Sequence, residues 1–116
     1  MKTIIAGSRT ITDYSTVKEA IEKSGFKITE VISGGAQGVD KLGERWALEN
    51  NIPVKRFLAD WIKHGKAAGP IRNSEMVKIA ECAIVIWDGI SRGSQDTITK
   101  MQNANKELFI YVPNAE

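Results

Sequence analysis

Val31-Ile32-Ser33-Gly34-Gly35-Ala36-Gln37-Gly38-Val39-Asp40 is the stretch that decides the fold. Two β-branched apolar residues run into a glycine-rich turn, and the turn runs into an apolar stripe. That stripe is Val39, Leu42, Gly43, Trp46 and Ala47, spaced i, i+3, i+4, i+7 and i+8, and it ends near Asn50-Asn51. A buried strand therefore passes through a tight turn into an amphipathic helix. The same pattern recurs on both sides. Upstream, residues 3–6 form a short apolar strand closed by Gly7-Ser8-Arg9. A helix is predicted over residues 16–24, opened by the capping-box pattern Thr16-x-x-Glu19 and closed by Gly25.

Downstream, residues 54–58 read as a third strand with Pro53 tolerable at its start. A polar loop over residues 60–69 follows, then a helix from Pro70 to about Glu81. Residues 82–87 are a continuous apolar run, the best central parallel strand in the chain. After a loop over residues 89–93, Ser94 is expected to cap a helix that runs to about Asn105, and residues 108–112 form the last strand. Five strands separated by four helices predict an α/β fold: a five-stranded parallel sheet with right-handed crossovers and helices on both faces. The pattern leaves two strand orders open, 3-2-1-4-5 and the flavodoxin-like 2-1-3-4-5.

Length and composition narrow the classes of function. The 116 residues suit one domain, 1–116, with no repeat or internal linker. Sixteen basic against fourteen acidic residues give a formal charge of +2, too balanced for a long nucleic-acid track. One cysteine, Cys82, lies in the apolar run and is expected to be a buried, inert thiol. One Cys and one His offer no metal-ligand spacing, so no metal or cofactor is expected. The first apolar stretch stops at Gly7 and no run reaches membrane-spanning length, which makes the cytoplasm the expected location and a membrane an unexpected partner.

Ligands of open parallel sheets sit outside the carboxyl ends of the strands, and the unusual residues crowd there. Gly7, Ser8 and Arg9 make the first turn; Gly34, Gly35, Ala36, Gln37, Gly38 and Asp40 make the second; Asp88, Arg92, Gly93 and Ser94 belong to a third. Glycines let a backbone approach an anion, and the positive end of the following helix favours a phosphate. Neither the P-loop Gly-x-x-x-x-Gly-Lys-Ser/Thr nor a dinucleotide Gly-x-Gly-x-x-Gly is present. Arg9, Lys63, Lys66, Arg72 and Arg92 are expected to converge on the same edge, with Trp61 and Asn73 beside them. Each has a plainer reading: glycines as tight turns, Trp61 as a cover for an apolar patch, Asp40 as a dipole partner, Asp88 as a loop brace. Trp46 and Trp87 are expected in the core, and the single His64 supports no nucleophilic triad.

Those segments resemble a known superfamily. Gly7-Ser8-Arg9, the run from Ser33 to Asp40, Ala59-Asp60-Trp61, the run from Gly65 to Asn73 with Met76, and Trp87-Asp88-Gly89 leading to Ser91-Arg92-Gly93-Ser94 are similar to the SLOG proteins. That superfamily unites DNA-processing protein A with the lonely-guy phosphoribohydrolases, and the resemblance is strongest to its small YspA-like family. It implies a Rossmann-like fold of order 3-2-1-4-5 and a phosphate-binding loop in a pocket for a nucleotide or nucleotide-derived small molecule. The chain departs from the lonely-guy pattern: it has no Pro-Gly-Gly-x-Gly-Thr motif, and Gly93-Ser94 leads to Gln95-Asp96-Thr97 without the expected glutamate. The expectation is therefore a sensor or sequestering module, with a hydrolase of the nucleotide N-glycosidic bond as first alternative. A single-stranded-DNA accessory protein is the second, and a homo-oligomer is compatible with any of them.

Overall fold

A computed structural model describes residues 1–113. Strands β1 (Lys2–Gly7), β2 (Glu30–Ser33), β3 (Val54–Arg56), β4 (Cys82–Ile86) and β5 (Glu107–Tyr111) form one parallel sheet in the order β3-β2-β1-β4-β5. Helices α1 (Tyr14–Ser24), α2 (Val39–Glu49), α4 (Ala68–Ile79) and α5 (Arg92–Asn103) make the crossovers, and a short α3 (Trp61–His64) precedes α4. The α/β class, the parallel sheet and the 3-2-1-4-5 order are as expected.

Period-two alternation along the strands divides the core between the two faces. Ile4, Ala6, Ile32, Ala83 and Val85 point to one side, where Met76 and Val77 of α4 and Ile98 and Met101 of α5 cover them. Ile5, Val31, Ile84 and Ile86 point to the other, under Val17 and Ile21 of α1 and Val39 and Ala47 of α2. Every residue of β4 is buried, which accounts for its unbroken apolar sequence. Cys82 lies fully buried against the Thr3 hydroxyl at 3.1 Å, and Trp87 and Trp46 pack on the two core faces.

Several boundaries move, each for a local reason. Helix α1 begins before Thr16 because Asp13 caps it, accepting from the Ser15 N–H at 3.1 Å. Glu19 closes no capping box: it pairs with Lys23 at 3.2 Å and accepts from the Tyr111 hydroxyl at 2.7 Å. The expected loop over residues 60–69 is largely helical. The Asp60 carboxylate caps α3 through the Lys63 N–H (3.0 Å), a 3-10 turn spans Gly65–Ala67, and α4 starts at Ala68 rather than Pro70. Pro70 costs nothing there, since first-turn N–H groups have no intrahelical partner. The cap of α5 is Ser91, not Ser94, which is buried one turn inside and accepts from the Ser91 hydroxyl at 2.9 Å. Strand β3 stops at Arg56, and Leu58 is left exposed.

Candidate functional site

In this order β1 and β4 are neighbours whose chains depart in opposite directions, and their carboxyl ends open the crevice where such sheets take ligands. A cavity of about 220 Å³ lies there. Ala6 and Gly7 end β1 at its base, Met76 closes one side, and Arg9, Thr10, Ala36, Asp40, Arg72, Asn73, Asp88, Ser91, Gly93, Ser94 and Thr97 complete the lining.

Close backbone approach holds the turns together. A Cβ at Gly7 would collide with the Ile86 carbonyl oxygen, so only glycine lets β1 leave the sheet beside β4. Gly38 has φ +80°, and a Cβ on it would stand 2.7 Å from the Arg9 Cα and from the Ser8 carbonyl oxygen. The first and second turns thus touch through backbone. Gly34 faces the Arg72 guanidinium, with 2.5 Å between its would-be Cβ and Arg72 Nη1. Arg72 is fastened: Nη1 donates to the Gly34 carbonyl at 2.7 Å and Nε donates to Asn73 Oδ1 at 2.9 Å. Asn73 Nδ2 donates in turn to Asp96 Oδ2 at 3.0 Å, and Asp96 pairs with Lys100 at 2.8 Å.

The electrostatics are mixed. Burial lowers the Arg72 pKa, the nearby Asp40 carboxylate opposes that shift, and Arg9 adds to it, so the two guanidiniums feel each other across the cavity. Asp40 is only 5% exposed. Its burial lifts the carboxyl from 3.8 to about 6, against the Ala36 N–H, which donates to Oδ2 at 3.2 Å, and against Arg72. Asp88 behaves otherwise: its carboxylate accepts from the Ile90 and Ser91 N–H groups at 2.9 and 2.8 Å, which holds its pKa low and ties its charge into its own loop. Neither α2 nor α5 has a side-chain cap on its N-terminus among the described residues. Residues of both first turns, Asp40 of α2 and Gly93 and Ser94 of α5, line the cavity.

The structure gathers Gly7, Arg9, Ala36, Asp40, Arg72, Asn73, Asp88, Gly93 and Ser94 of the candidate residues around this cavity. The other expected positions lie outside its lining. Ser8 is a brace: its Oγ accepts from the Asp88 N–H at 2.9 Å and meets Ser91 Oγ at 3.2 Å. Gly34, Gly35 and Gly38 shape the second turn, Gln37 is exposed on it, and Lys63, Lys66 and Arg92 are exposed away from the lining. Trp61 stands on α3, half-exposed. Thr10 and Thr97 were not singled out in the sequence, and Ser91 and Met76, although within the segments that carry the resemblance, were not among the candidate site residues. Helical spacing could have found Thr97, which follows Gly93 by four residues on α5. Sequence reasoning also missed the support under the second turn, where Ser33 Oγ accepts from the Gly35 N–H at 3.0 Å and donates to Glu44 Oε2 at 2.6 Å. Arg56 donates to the other oxygen of this buried carboxylate at 2.9 and 2.6 Å. No cluster of three or more His, Cys, Asp or Glu that could hold a metal occurs among the described residues. Nor is any described helix long and apolar enough to cross a membrane.

Sheet order, glycine turns and switch-point cavity together define a Rossmann-like α/β protein. The chain belongs to the YspA, cpYpsA-related SLOG family (YAcAr), whose family model matches residues 1–64. It is 34% identical over 113 residues to the gene 61 protein of Mycobacterium phage D29, covering 89% of this chain and 90% of that one. In fold it is similar to DNA processing protein A (DprA) from Streptococcus pneumoniae, with a TM-score of 0.75 at 17% identity. That match covers 94% of this chain and 49% of DprA, so the chain spans about half of the larger protein.

Proposed function

We propose that the protein binds a nucleotide or nucleotide-derived small molecule, phosphate inward, as a sensor or sequestering module. The observation that carries this reading is the convergence of two guanidiniums, Arg9 and Arg72, with the N-termini of α2 and α5, neither closed by a side-chain cap hydrogen bond, on one cavity. Helix N-termini present N–H donors and positive potential to an anion, and a fixed guanidinium adds paired, charge-assisted hydrogen bonds. At about 220 Å³ the cavity is smaller than the usual 300–1,000 Å³ of drug-sized pockets, which suits a phosphate with its sugar and leaves the rest of the ligand outside.

One feature favours a second reading. Asp40 is a carboxyl on the cavity wall that titrates at about 6, the range of a working general base. A hydrolase of the N-glycosidic bond would use it to activate water, releasing a free base and a ribose phosphate. DNA processing protein A, by its name, processes DNA. A DNA partner fits a formal charge of +2 and a cavity of this size less well.

Calorimetric titration with nucleoside mono- and diphosphates, followed by chromatography of the recovered ligand, tests all three. The binding module returns the ligand intact and loses affinity in Arg9→Ala. Multiple-turnover release of free base would replace it with the hydrolase. Tight oligonucleotide binding whose log–log salt slope exceeds the two or three charges of a mononucleotide, at about 0.7 per phosphate, would replace it with the DNA reading.

A further inference from the structure

Outside the cavity lining, one turn further along α4, lies an exposed apolar ledge. Along α4, Met76 lines the cavity floor and Arg72 with Asn73 its wall, one helical turn closer to the carboxyl edge of the sheet. The next turn up presents Gly69, buried and without a side chain. The Trp61 indole packs there: a Cβ at Gly69 would stand in ordinary contact with it, 3.5 Å from Trp61 Cη2. Even so, 53% of Trp61 remains exposed. On the other flank, Arg72 holds the Gly34 carbonyl, and the adjoining Gly35 meets Leu58, whose Cδ2 lies 2.8 Å from a would-be Cβ there. Leu58 is 71% exposed. Trp61 thus rests on the turn of α4 next to Arg72, and Leu58 on the residue next to the one that Arg72 holds, both open to solvent.

An exposed indole next to a polar pocket is a surface on which part of a ligand can rest. The spacing says which part. Gly69, on which Trp61 rests, is one helical turn, about 5.4 Å of rise, above the Arg72–Asn73 level, a separation that one ribose can bridge. A flat, uncharged ring joined through a sugar to a phosphate is a nucleobase, and stacking on an indole tolerates any base because each has a π-face. The geometry points to a nucleobase subsite on Trp61, bordered by Leu58, for the nucleotide whose phosphate lies against Arg72. This rests on the anion-pocket reading above. A stacking ledge favours purines over pyrimidines by contact area and discriminates little between adenine and guanine.

Calorimetry on the full chain with adenosine monophosphate, guanosine monophosphate and base-free ribose phosphate tests it. Both nucleotides should bind at least about fivefold tighter than ribose phosphate. Trp61→Ala should erase that margin and leave ribose phosphate affinity unchanged, and Trp61→Phe should keep most of it. A margin that survives Trp61→Ala, or no margin in the unaltered chain, overturns the subsite while the anion pocket stands. If neither the nucleotides nor ribose phosphate bind, both readings fall. A dimer that Trp61→Ala splits with the nucleotide margin intact would make the ledge a contact between copies of the chain, and overturns the subsite equally.

Discussion

Asp40→Asn separates what the carboxylate costs the fold from what it does in the cavity. The residue is 5% exposed, and its carboxyl rises from 3.8 to about 6 chiefly through burial. A raised value means that the folded state holds the proton more tightly than the unfolded chain. The resulting stabilisation is fully present below pH 3.8 and is lost as pH rises through about 6. At about 1.4 kcal/mol per pH unit, ionisation withdraws roughly 3 kcal/mol by pH 7.5, a large part of a small domain's stability. Asparagine keeps the shape and an oxygen for the Ala36 N–H, and it does not titrate. It adds a fixed penalty wherever its amide group lacks an acceptor, about 1–3 kcal/mol. The quantity to read is therefore the slope of the difference. Denaturant unfolding of both proteins at intervals from pH 4 to pH 8 should show the variant gaining roughly 2.5 kcal/mol on the parent across that range, most of the whole shift. Other carboxylates titrate alike in both and cancel. Parallel curves, with a difference constant to within about 0.5 kcal/mol, would refute the burial argument.

Glu44 should behave with the opposite sign. Burial alone would raise its pKa, but the Arg56 and Ser33 hydrogen bonds outweigh that and hold it low, so its contribution is lost as pH falls below the usual carboxylate range. Glu44→Gln should lower stability at pH 7 by about 1–3 kcal/mol and flatten the acid limb of the unfolding curve. Gly38→Ala meets the backbone of Arg9 and Ser8 at φ +80° and should cost at least about 2 kcal/mol, whereas Gly93→Ala meets nothing and should be neutral or stabilise α5 by up to about 1 kcal/mol in thermal melts. Arg72→Lys keeps the charge but cannot hold the Gly34 carbonyl and Asn73 together, so both Tm without ligand and nucleotide affinity should fall, affinity by about 1 kcal/mol or more. Loss of Tm with affinity intact would confine Arg72 to a structural role.

Much of the fold was legible because its signals are local. Alternating apolar runs and glycine turns set five strands and the crossover helices, since the burial and hydrogen-bond period of each element is written within that element. Gly7 and Gly38 were legible as turn residues for the same reason. Caps were less so: Asp13 and Ser91 compete with nearby Thr16 and Ser94, which carry equally good side chains, and packing chooses between them. Residues 60–69 read as loop because α3 is a single short turn of helix, held by the Asp60 cap and by Trp61 resting on Gly69.

By itself the sequence determined a parallel α/β sheet with its unusual residues at the carboxyl ends. Only the tertiary structure decided which of those residues meet. Once β1 lies beside β4, Arg9 and Thr10 face Ser91, Gly93 and Thr97 across some eighty residues of chain, and α4 brings Arg72 between them. Lys63, Lys66 and Arg92 have the same charge as Arg9 and Arg72 and similar positions in the pattern, yet they stay outside the cavity lining. The burial that lifts Asp40, and the contact of Trp61 with Gly69, are likewise products of packing between elements. A chain pattern records the periodicity inside each element; convergence of side chains depends on strand order and helix placement, which long-range packing alone settles.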